Sequence, residues 1–122
     1  MTTVSMSIDV PNLPDGIRFY SDAFGFAKTA EPYPGVVVLR LEDFELCLLE
    51  KATGLSPCPN SGDARHYTRH WTPVHLDFHV DDLKRALEIA IAAGATQEQL
   101  YEGAAFCSDP FGHGFCLLER RH

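Results

Sequence analysis

The chain has 122 residues, which is enough for one hydrophobic core and excludes a large multidomain enzyme. Ten basic residues against 17 acidic ones give a net charge of −7, which excludes a general nucleic-acid binder because such proteins need a cationic surface. No apolar run approaches the roughly 20 residues that span a bilayer, and the N-terminus shows no signal-peptide pattern. We therefore expect a cytoplasmic protein without nucleic-acid or membrane partners.

Two segments of the chain, 70 residues apart, share one pattern. Residues 4–10 and 74–80 both alternate apolar and polar side chains, as half-buried strands do. Further along, Cys47-Leu48-Leu49-Glu50 matches Cys116-Leu117-Leu118-Glu119 at an offset of 69. We infer that the chain contains an internal repeat.

Each copy of the repeat continues with the signals of a helix. Asn12, with Pro14 close behind, and the pair Asp81-Asp82 are typical helix starts, and Gly25 and Gly94 are typical helix ends. Apolar residues between them recur at helical spacing: Ile17, Tyr20 and Phe24 in the first copy, and Leu83, Ala86, Leu87 and Ala90 in the second.

Three short strands follow each predicted helix. They lie near residues 27–32, 36–41 and 44–50 in the first copy, and near 98–102, 104–108 and 115–120 in the second. The order strand-helix-strand-strand-strand therefore occurs twice. We expect a single domain, 1–122, with module one at about 1–51, a connector rich in turn residues at about 52–72, and module two at about 73–122.

Three motifs in this layout resemble those of the vicinal oxygen chelate superfamily, the glyoxalase, bleomycin-resistance and extradiol-dioxygenase group. The motifs are residues 17–26, 75–83 and 109–113, reading IRFYSDAFGF, HLDFHVDDL and DPFGH. The resemblance implies an α+β fold in which tandem βαβββ modules form a curled mixed sheet with the helices outside, and it implies a homodimer. The superfamily includes both enzymes and proteins that only sequester antibiotics, so the fold selects no single activity.

The resemblance also implies one metal-ligand position on the first and last strand of each module, usually His or Gln and then Glu. The residues at these positions are Ser5, Cys47, His75 and Cys116. Mg²⁺ and Mn²⁺ prefer oxygen ligands, and iron dioxygenases use two His and a carboxylate, so neither site can be assembled from this set. We expect no metal ligands and no cofactor. The alternative is zinc or another divalent metal on Cys47, His75 and Cys116, or on Glu50 and Glu119 if a bulge turns them inward.

The polar faces of the two repeated strands are the candidate ligand site, although half-exposed sheets alternate in the same way. We expect His75, Asp77 and His79 to be the catalytic candidates, because a carboxylate can orient a histidine that acts as a general base. The candidate ligand-binding residues are Ser5, Ser7, Asp9, Arg40, Glu45, Cys47 and Cys116. The alternative is that the histidines are ordinary surface groups and the cysteines fill core space.

The connector contains cationic and aromatic residues close together in sequence. Arg65, Arg69 and Trp71 are candidates for a lid or for contact with an anionic ligand, and the alternative for Trp71 is a packing anchor.

Taken together, these features predict a glyoxalase-like protein that lacks the usual metal ligands and binds or sequesters an apolar, aromatic or cationic small molecule. The charge of −7 favours a cationic ligand through long-range attraction. The alternative is a lyase, an isomerase or another glyoxalase-like enzyme that uses His75 with a non-standard metal site or as a general base.

Overall fold

The structure, a computed structural model, describes residues 1–121 and contains the same succession of elements twice. The first succession is β1 (Met6–Val10), α1 (Leu13–Phe24), β2 (Ala27–Tyr33), β3 (Val36–Leu41) and β4 (Phe44–Glu50). The second is β5 (Leu76–Val80), α2 (Leu83–Ala93), β6 (Thr96–Tyr101), β7 (Ala104–Ser108) and β8 (Gly114–Glu119). The predicted α+β class and the tandem βαβββ order are confirmed.

Each module forms its own four-stranded mixed sheet. The strand order is β1-β4-β3-β2 in the first and β5-β8-β7-β6 in the second. The first strand of each module runs parallel to the last one, and all other neighbouring strands are antiparallel. The first and last strands of a module, which are far apart in sequence, are therefore direct neighbours in the sheet.

The chain divides into two compact units, the first ending at His66 and the second beginning at Tyr67. The boundary falls inside the predicted connector. In the first unit, Gly54 N–H donates to the carbonyl oxygen of Arg65, and Arg65 N–H donates to that of Leu55, each at 2.8 Å. In the second unit, His70 N–H donates to the carbonyl oxygen of Gly112 at 3.1 Å. The first part of the connector is thus hydrogen-bonded within the first unit, and its last part within the second.

Both helices begin at the residues that the sequence predicts. The side chain of Asn12 accepts the N–H of Asp15 at 2.9 Å, and that of Asp82 accepts the N–H of Arg85 at 3.1 Å. These bonds satisfy backbone groups that have no partner within the first turn. Gly25 follows α1 with φ of 87°, the left-handed conformation that the predicted helix end requires.

In module one, α1 packs closely on its own sheet. Phe19, Leu46 and Leu48 are almost completely buried, and Gly16 of α1 faces Val10 and Leu48 of the sheet. A Cβ atom at Gly16 would lie 2.9 Å from Cδ1 of Leu48 and 3.2 Å from Cγ1 of Val10. The absence of a side chain at Gly16 therefore sets the distance between helix and sheet.

The core of module two is built in the same way as that of module one. Leu83, Leu87 and Ala90 of α2 are buried, as their helical spacing predicts, and Leu117 and Ala105 are buried on the sheet. Of the helices within residues 1–121, none is long and apolar enough to span a membrane.

The first strand of each module starts later than the alternation predicts. β1 begins at Met6 and β5 at Leu76, whereas Val4 and Val74 are exposed. Both are edge strands, and their pairing with the last strand of the module begins at Met6–Leu46 and at Leu76–Phe115. His75 therefore directly precedes its strand.

Candidate functional site

A histidine, an aspartate and a cysteine lie close together on the sheet of module two. Asp77 on β5 lies opposite Cys116 on β8 in the parallel register, so their side chains share one face of the sheet. His75 lies two residues before Asp77, and side chains two apart in an extended chain point the same way. The pairing of β5 with β8 therefore brings together residues that are about 40 positions apart in sequence.

The three groups lie close enough to interact. Nδ1 of His75 is 3.0 Å from Oδ1 of Asp77 and 3.8 Å from Sγ of Cys116. One potential ligand atom from each residue lies within 4.8 Å of the other two. The side chains of His75 and Asp77 are 47% and 43% exposed, whereas Cys116 is buried. A buried thiol therefore lies beneath a solvent-accessible histidine–carboxylate pair.

The thiol is held in its neutral form. Burial, and then the charge of Asp77 and its hydrogen bond, raise the pKa of Cys116 to about 11. Burial, and then the neighbouring Cys116, likewise raise the pKa of Cys107 to about 11. Because thiolates are the nucleophilic form of cysteine, neither residue is activated as a nucleophile in the metal-free protein.

A pocket of about 130 Å³ opens beside this cluster, entirely within the second unit. Its lining combines aromatic rings with an ion pair and with two members of the cluster. The lining residues are Arg69, Trp71, Thr72, His75, Glu98, Phe106, Cys107, Gly114, Phe115 and Cys116. Cavities of about 150 Å³ accept a benzene ring, so a single aromatic ring is about the size that this pocket accommodates.

Arg69 and Glu98 form the polar side of the pocket. The guanidinium Nε and Nη2 donate to the two carboxylate oxygens at 2.5 and 3.0 Å, which is a bidentate geometry. This hydrogen bonding lowers the pKa of Glu98 and raises that of Arg69. Gly114 makes room for the pair, because a Cβ atom there would lie 2.8 Å from Nη2 of Arg69.

Two histidines tie the start of the second unit to the turn before β8. Nε2 of His70 lies 2.9 Å from Nδ1 of His113, and Nδ1 of His70 lies 3.0 Å from the carbonyl oxygen of Thr68. Asp109 is buried, and its Oδ1 accepts the N–H groups of Phe111 and His113. The DPFGH motif is therefore accounted for by the turn, which holds the segment carrying Arg69 and Trp71 in place.

The other predicted site residues near the N-terminus belong to the first unit. Ser7 lies opposite Cys47 in the β1–β4 register, and Ser5 precedes β1 and is exposed. Asp9 accepts a hydrogen bond from Nε of Arg65 at 2.7 Å, so its charge is balanced by a connector residue. The ion pair joins the start of the first module to the end of the first unit.

Arg40 and Glu45 lie opposite each other in the β3–β4 register. Arg40 is exposed, and its Nε donates to the carbonyl oxygen of Glu42 in the turn between the two strands. In module two, His79 is exposed and lies two residues after Asp77, so both side chains are on the same face of β5.

Glu50 and Glu119, the two carboxylates that the sequence left open as substitute ligands, both bind helix starts. Glu50 accepts the N–H of Leu13 at 2.8 Å, and Glu119 accepts that of Leu83 at 2.9 Å. Both carboxylates therefore have a structural role that does not require a metal.

The pocket also contains residues that sequence reasoning missed, above all Glu98 and the rings of Phe106 and Phe115. Glu98 is 29 positions from its partner Arg69, and no local pattern indicates that they pair. The ring of Phe106 is 43% exposed in the structure, and an exposed aromatic residue often marks a binding surface, but the sequence alone does not show this exposure.

The sequence matches the family model described as Glyoxalase-like domain over residues 5–118. No curated protein matches the chain at a significant level.

Solved structures with the same fold share little sequence with this chain. The hypothetical protein SA1046 from S. aureus is 18% identical, with a TM-score of 0.71 and 98% of each chain covered. The fosfomycin resistance protein FosX from Listeria monocytogenes is 13% identical, with a TM-score of 0.74 over 98% of this chain and 91% of that one. Lactoylglutathione lyase from Agrobacterium tumefaciens is 15% identical, with a TM-score of 0.64 over 98% and 94%. At these identities the likeness concerns the fold alone.

Proposed function

The chain belongs to the glyoxalase-like domain family, as its motifs predict, and on that premise we propose that it binds a small aromatic molecule in the pocket of module two. The observation that carries the proposal is the pocket itself, in which aromatic walls adjoin a few polar groups. Apolar walls with a small number of placed polar groups are typical of small-molecule sites.

The charges around the pocket favour a ligand with a positive group. Arg69 is already paired with Glu98, so it offers no uncompensated positive charge to an anion. Asp77 borders the pocket through its contact with His75 and is 43% exposed. Phe106 and Trp71 add ring faces that attract cations. An aromatic amine therefore fits both the aromatic walls of the pocket and the carboxylate of Asp77 beside it.

This binding mode uses none of the hard divalent ions found in metal-dependent relatives. The four equivalent positions hold Ser5, Cys47, His75 and Cys116, and no carboxylate is among them. Glu50 and Glu119 are engaged by helix starts. The donor chemistry therefore does not fit Mg²⁺ or Mn²⁺, and no step of the proposal passes through either ion.

Three probes of similar shape and different charge test the proposal: benzylamine, benzyl alcohol and benzoate, each titrated by calorimetry into the full chain after chelator treatment, so that Asp77 carries no metal. We expect benzylamine to bind most tightly and benzoate most weakly. Phe106→Ala weakens binding of all three, whereas Asp77→Asn weakens only benzylamine, and Arg85→Ala, at an exposed position of α2, serves as the matched control without effect. Equal affinities for the three probes, or failure of all three to bind, would contradict the proposal.

A second candidate is a metal-free enzyme, favoured by the 3.0 Å contact between His75 and Asp77. The carboxylate orients the ring through Nδ1 and leaves Nε2 to take a proton from a substrate. The measurement is turnover of α-keto hemithioacetals or epimerisable acids. Loss of turnover in His75→Ala, with a smaller loss in Asp77→Asn, supports this candidate, whereas retention in His75→Ala and transfer of the loss to His79→Ala assigns the base to His79.

We also propose that the chain forms a homodimer in the cytoplasm. The outer strands β2 and β6 are exposed along their whole length and carry Tyr33, Leu100 and Tyr101 with half or more of their surface accessible. A homodimer would cover apolar surface of this kind. The four cysteines are free, which suits a reducing compartment. Light scattering coupled to gel filtration distinguishes a dimer from a 13.6 kDa monomer.

A further inference from the structure

The cluster of His75, Asp77 and Cys116 has a composition that aromatic binding does not require. Imidazole, carboxylate and thiolate are the three kinds of side chain that bind zinc in proteins. All three come from one module and reach one another across the β5–β8 pair. Within residues 1–121 this is the one such group of three metal-ligating side chains.

The distances suit a tetrahedral ion. Ligand atoms that bind zinc at 2.0–2.3 Å lie about 3.3–3.6 Å from one another, as tetrahedral geometry dictates. The separation of Nδ1 of His75 from Oδ1 of Asp77 is 3.0 Å, and that from Sγ of Cys116 is 3.8 Å. The third separation, between Asp77 and Cys116, is within 4.8 Å, so side-chain rotations can bring the three atoms to the spacing that zinc needs.

We infer that module two binds one Zn²⁺ through His75, Asp77 and Cys116, with no ligand from module one. On binding, the imidazole of His75 ligates through Nδ1 with its proton on Nε2, and the thiol of Cys116 releases its proton to solvent as the ion binds the thiolate. The set differs from the pattern implied by the family resemblance, because Asp77 is an added ligand and Cys47 is not needed. A site with three protein ligands leaves a coordination position for water or for an oxygen of a bound molecule, and zinc supplies Lewis acidity there.

The surroundings of the cluster fit this role. Cys116 is buried while His75 and Asp77 are half exposed, so the thiol is shielded from water and the other two ligands are accessible to a metal ion from solvent. His75 and Cys116 also line the aromatic pocket, which brings the ion next to any bound molecule. Glu119, the carboxylate of β8, accepts the N–H of Leu83 at the start of α2 and does not compete for the metal.

The test is metal binding by the full chain without an affinity tag. Chelator-treated protein is loaded with Zn²⁺ for stoichiometry by elemental analysis and with Co²⁺ for absorption spectroscopy, after passage over a desalting column. We expect one equivalent of zinc, and a cobalt complex whose near-ultraviolet band reports a thiolate ligand. His75→Ala and Asp77→Asn lower the zinc affinity at least tenfold, and Cys116→Ala abolishes the thiolate band.

Matched controls separate this site from other cysteine chemistry. Cys107→Ser removes a second buried thiol with a similarly raised pKa, and Cys58→Ser removes the exposed one. Cys47→Ser removes the position that the family resemblance implies. We expect all three variants to keep one zinc and the thiolate band.

Less than a stoichiometric amount of zinc in the unmodified chain would overturn the inference. So would full binding in Asp77→Asn combined with loss in Cys47→Ser, since that result assigns the metal to the family-like set. His75→Gln, whose side chain is closer in size to histidine, is the second variant in case His75→Ala unfolds. Zinc uptake is measured without any aromatic ligand, so its failure and the failure of the proposed function are distinguishable.

Discussion

The carboxylate of Glu119 binds the first turn of helix α2 by accepting the N–H of Leu83 at 2.9 Å. Glu50 makes the same bond to Leu13 at the start of α1. A negative charge at a helix N-terminus interacts favourably with the helix dipole and satisfies an otherwise unpaired donor. The last strand of each module therefore stabilises the start of the helix that follows the first strand, which is its direct neighbour in the sheet.

Replacement of Glu119 by Ala is expected to reduce the free energy of unfolding by about 1 kcal/mol, because one helix-start donor loses its partner. In a domain of this size the midpoint of thermal unfolding falls by about 3–6 °C. Glu102→Ala, at an exposed position in the turn between β6 and β7, is the matched control. An unchanged midpoint combined with loss of bound zinc would instead assign Glu119 to a metal site.

Gly16→Ala is expected to destabilise module one, although alanine is usually the better helix former. The new methyl group would lie 2.9 Å from Leu48 and force the helix away from the sheet. Overpacking of this kind typically costs about 1–3 kcal/mol. Urea unfolding measures the loss. Gly62→Ala, where no atom lies within 4 Å of the added Cβ, leaves stability nearly unchanged, and a stabilised Gly16→Ala protein would contradict the predicted packing.

The Arg69–Glu98 pair is expected to make stability depend on acid pH. Its hydrogen bond lowers the pKa of Glu98 from an ordinary value of 4.5, so the pair contributes fully above that value. The contribution is lost as the pH falls through the lower pKa of the folded protein. Both side chains are partly exposed, so the effect is below about 1 kcal/mol.

The measurement for this pair is the difference in unfolding free energy between the unmodified chain and Glu98→Gln at pH 7 and at pH 3. The difference shrinks towards pH 3, because the carboxylate becomes protonated first in the unfolded chain and then, at lower pH, in the folded protein. Glu102→Gln, at an exposed turn position, shows no such change. A difference that grows on acidification would contradict the role of the ion pair.

The buried thiols give the opposite dependence at alkaline pH. The pKa of Cys107 is about 11 in the folded protein, raised from 9.0, so the folded state favours the neutral thiol. This contribution is complete below pH 9 and is lost as the pH rises through 11. Between pH 8 and 10.5 we expect the unmodified chain to lose up to about 2 kcal/mol more stability than Cys107→Ala, as linkage requires. Urea unfolding under reducing conditions measures this loss, and equal losses in both proteins would refute it.

Local sequence signals predicted the elements and their starts well. Asn12 and Asp82 begin the helices as expected, because helix caps depend on residues three positions apart. β3, β4 and β7 also lie where the apolar runs and turns indicate. These features are local, so they can be read from a single sequence.

The site depends on pairings that local patterns do not contain. Alternation placed His75 and Asp77 on one face, but only the β5–β8 register shows that Cys116 joins them. The contact of Arg69 with Glu98 arises in the same way, from segments 29 residues apart. The resemblance to a family indicated which strands matter. It did not indicate Asp77 as a neighbour of the thiol, because Asp77 is not at one of the four ligand positions that the resemblance implies.

The opposition of Ser7 and Cys47 in module one repeats that of Asp77 and Cys116 in module two. Module one thus has the same backbone register, with the hydroxyl groups of Ser5 and Ser7 where module two has the imidazole of His75 and the carboxylate of Asp77. The two modules therefore share a fold but differ in the side chains of this site. The first module therefore serves as an internal control for the second, because it has the same backbone register without the histidine and the carboxylate. The double substitution Ser5→His and Ser7→Asp would give the first module the same three side chains as the second.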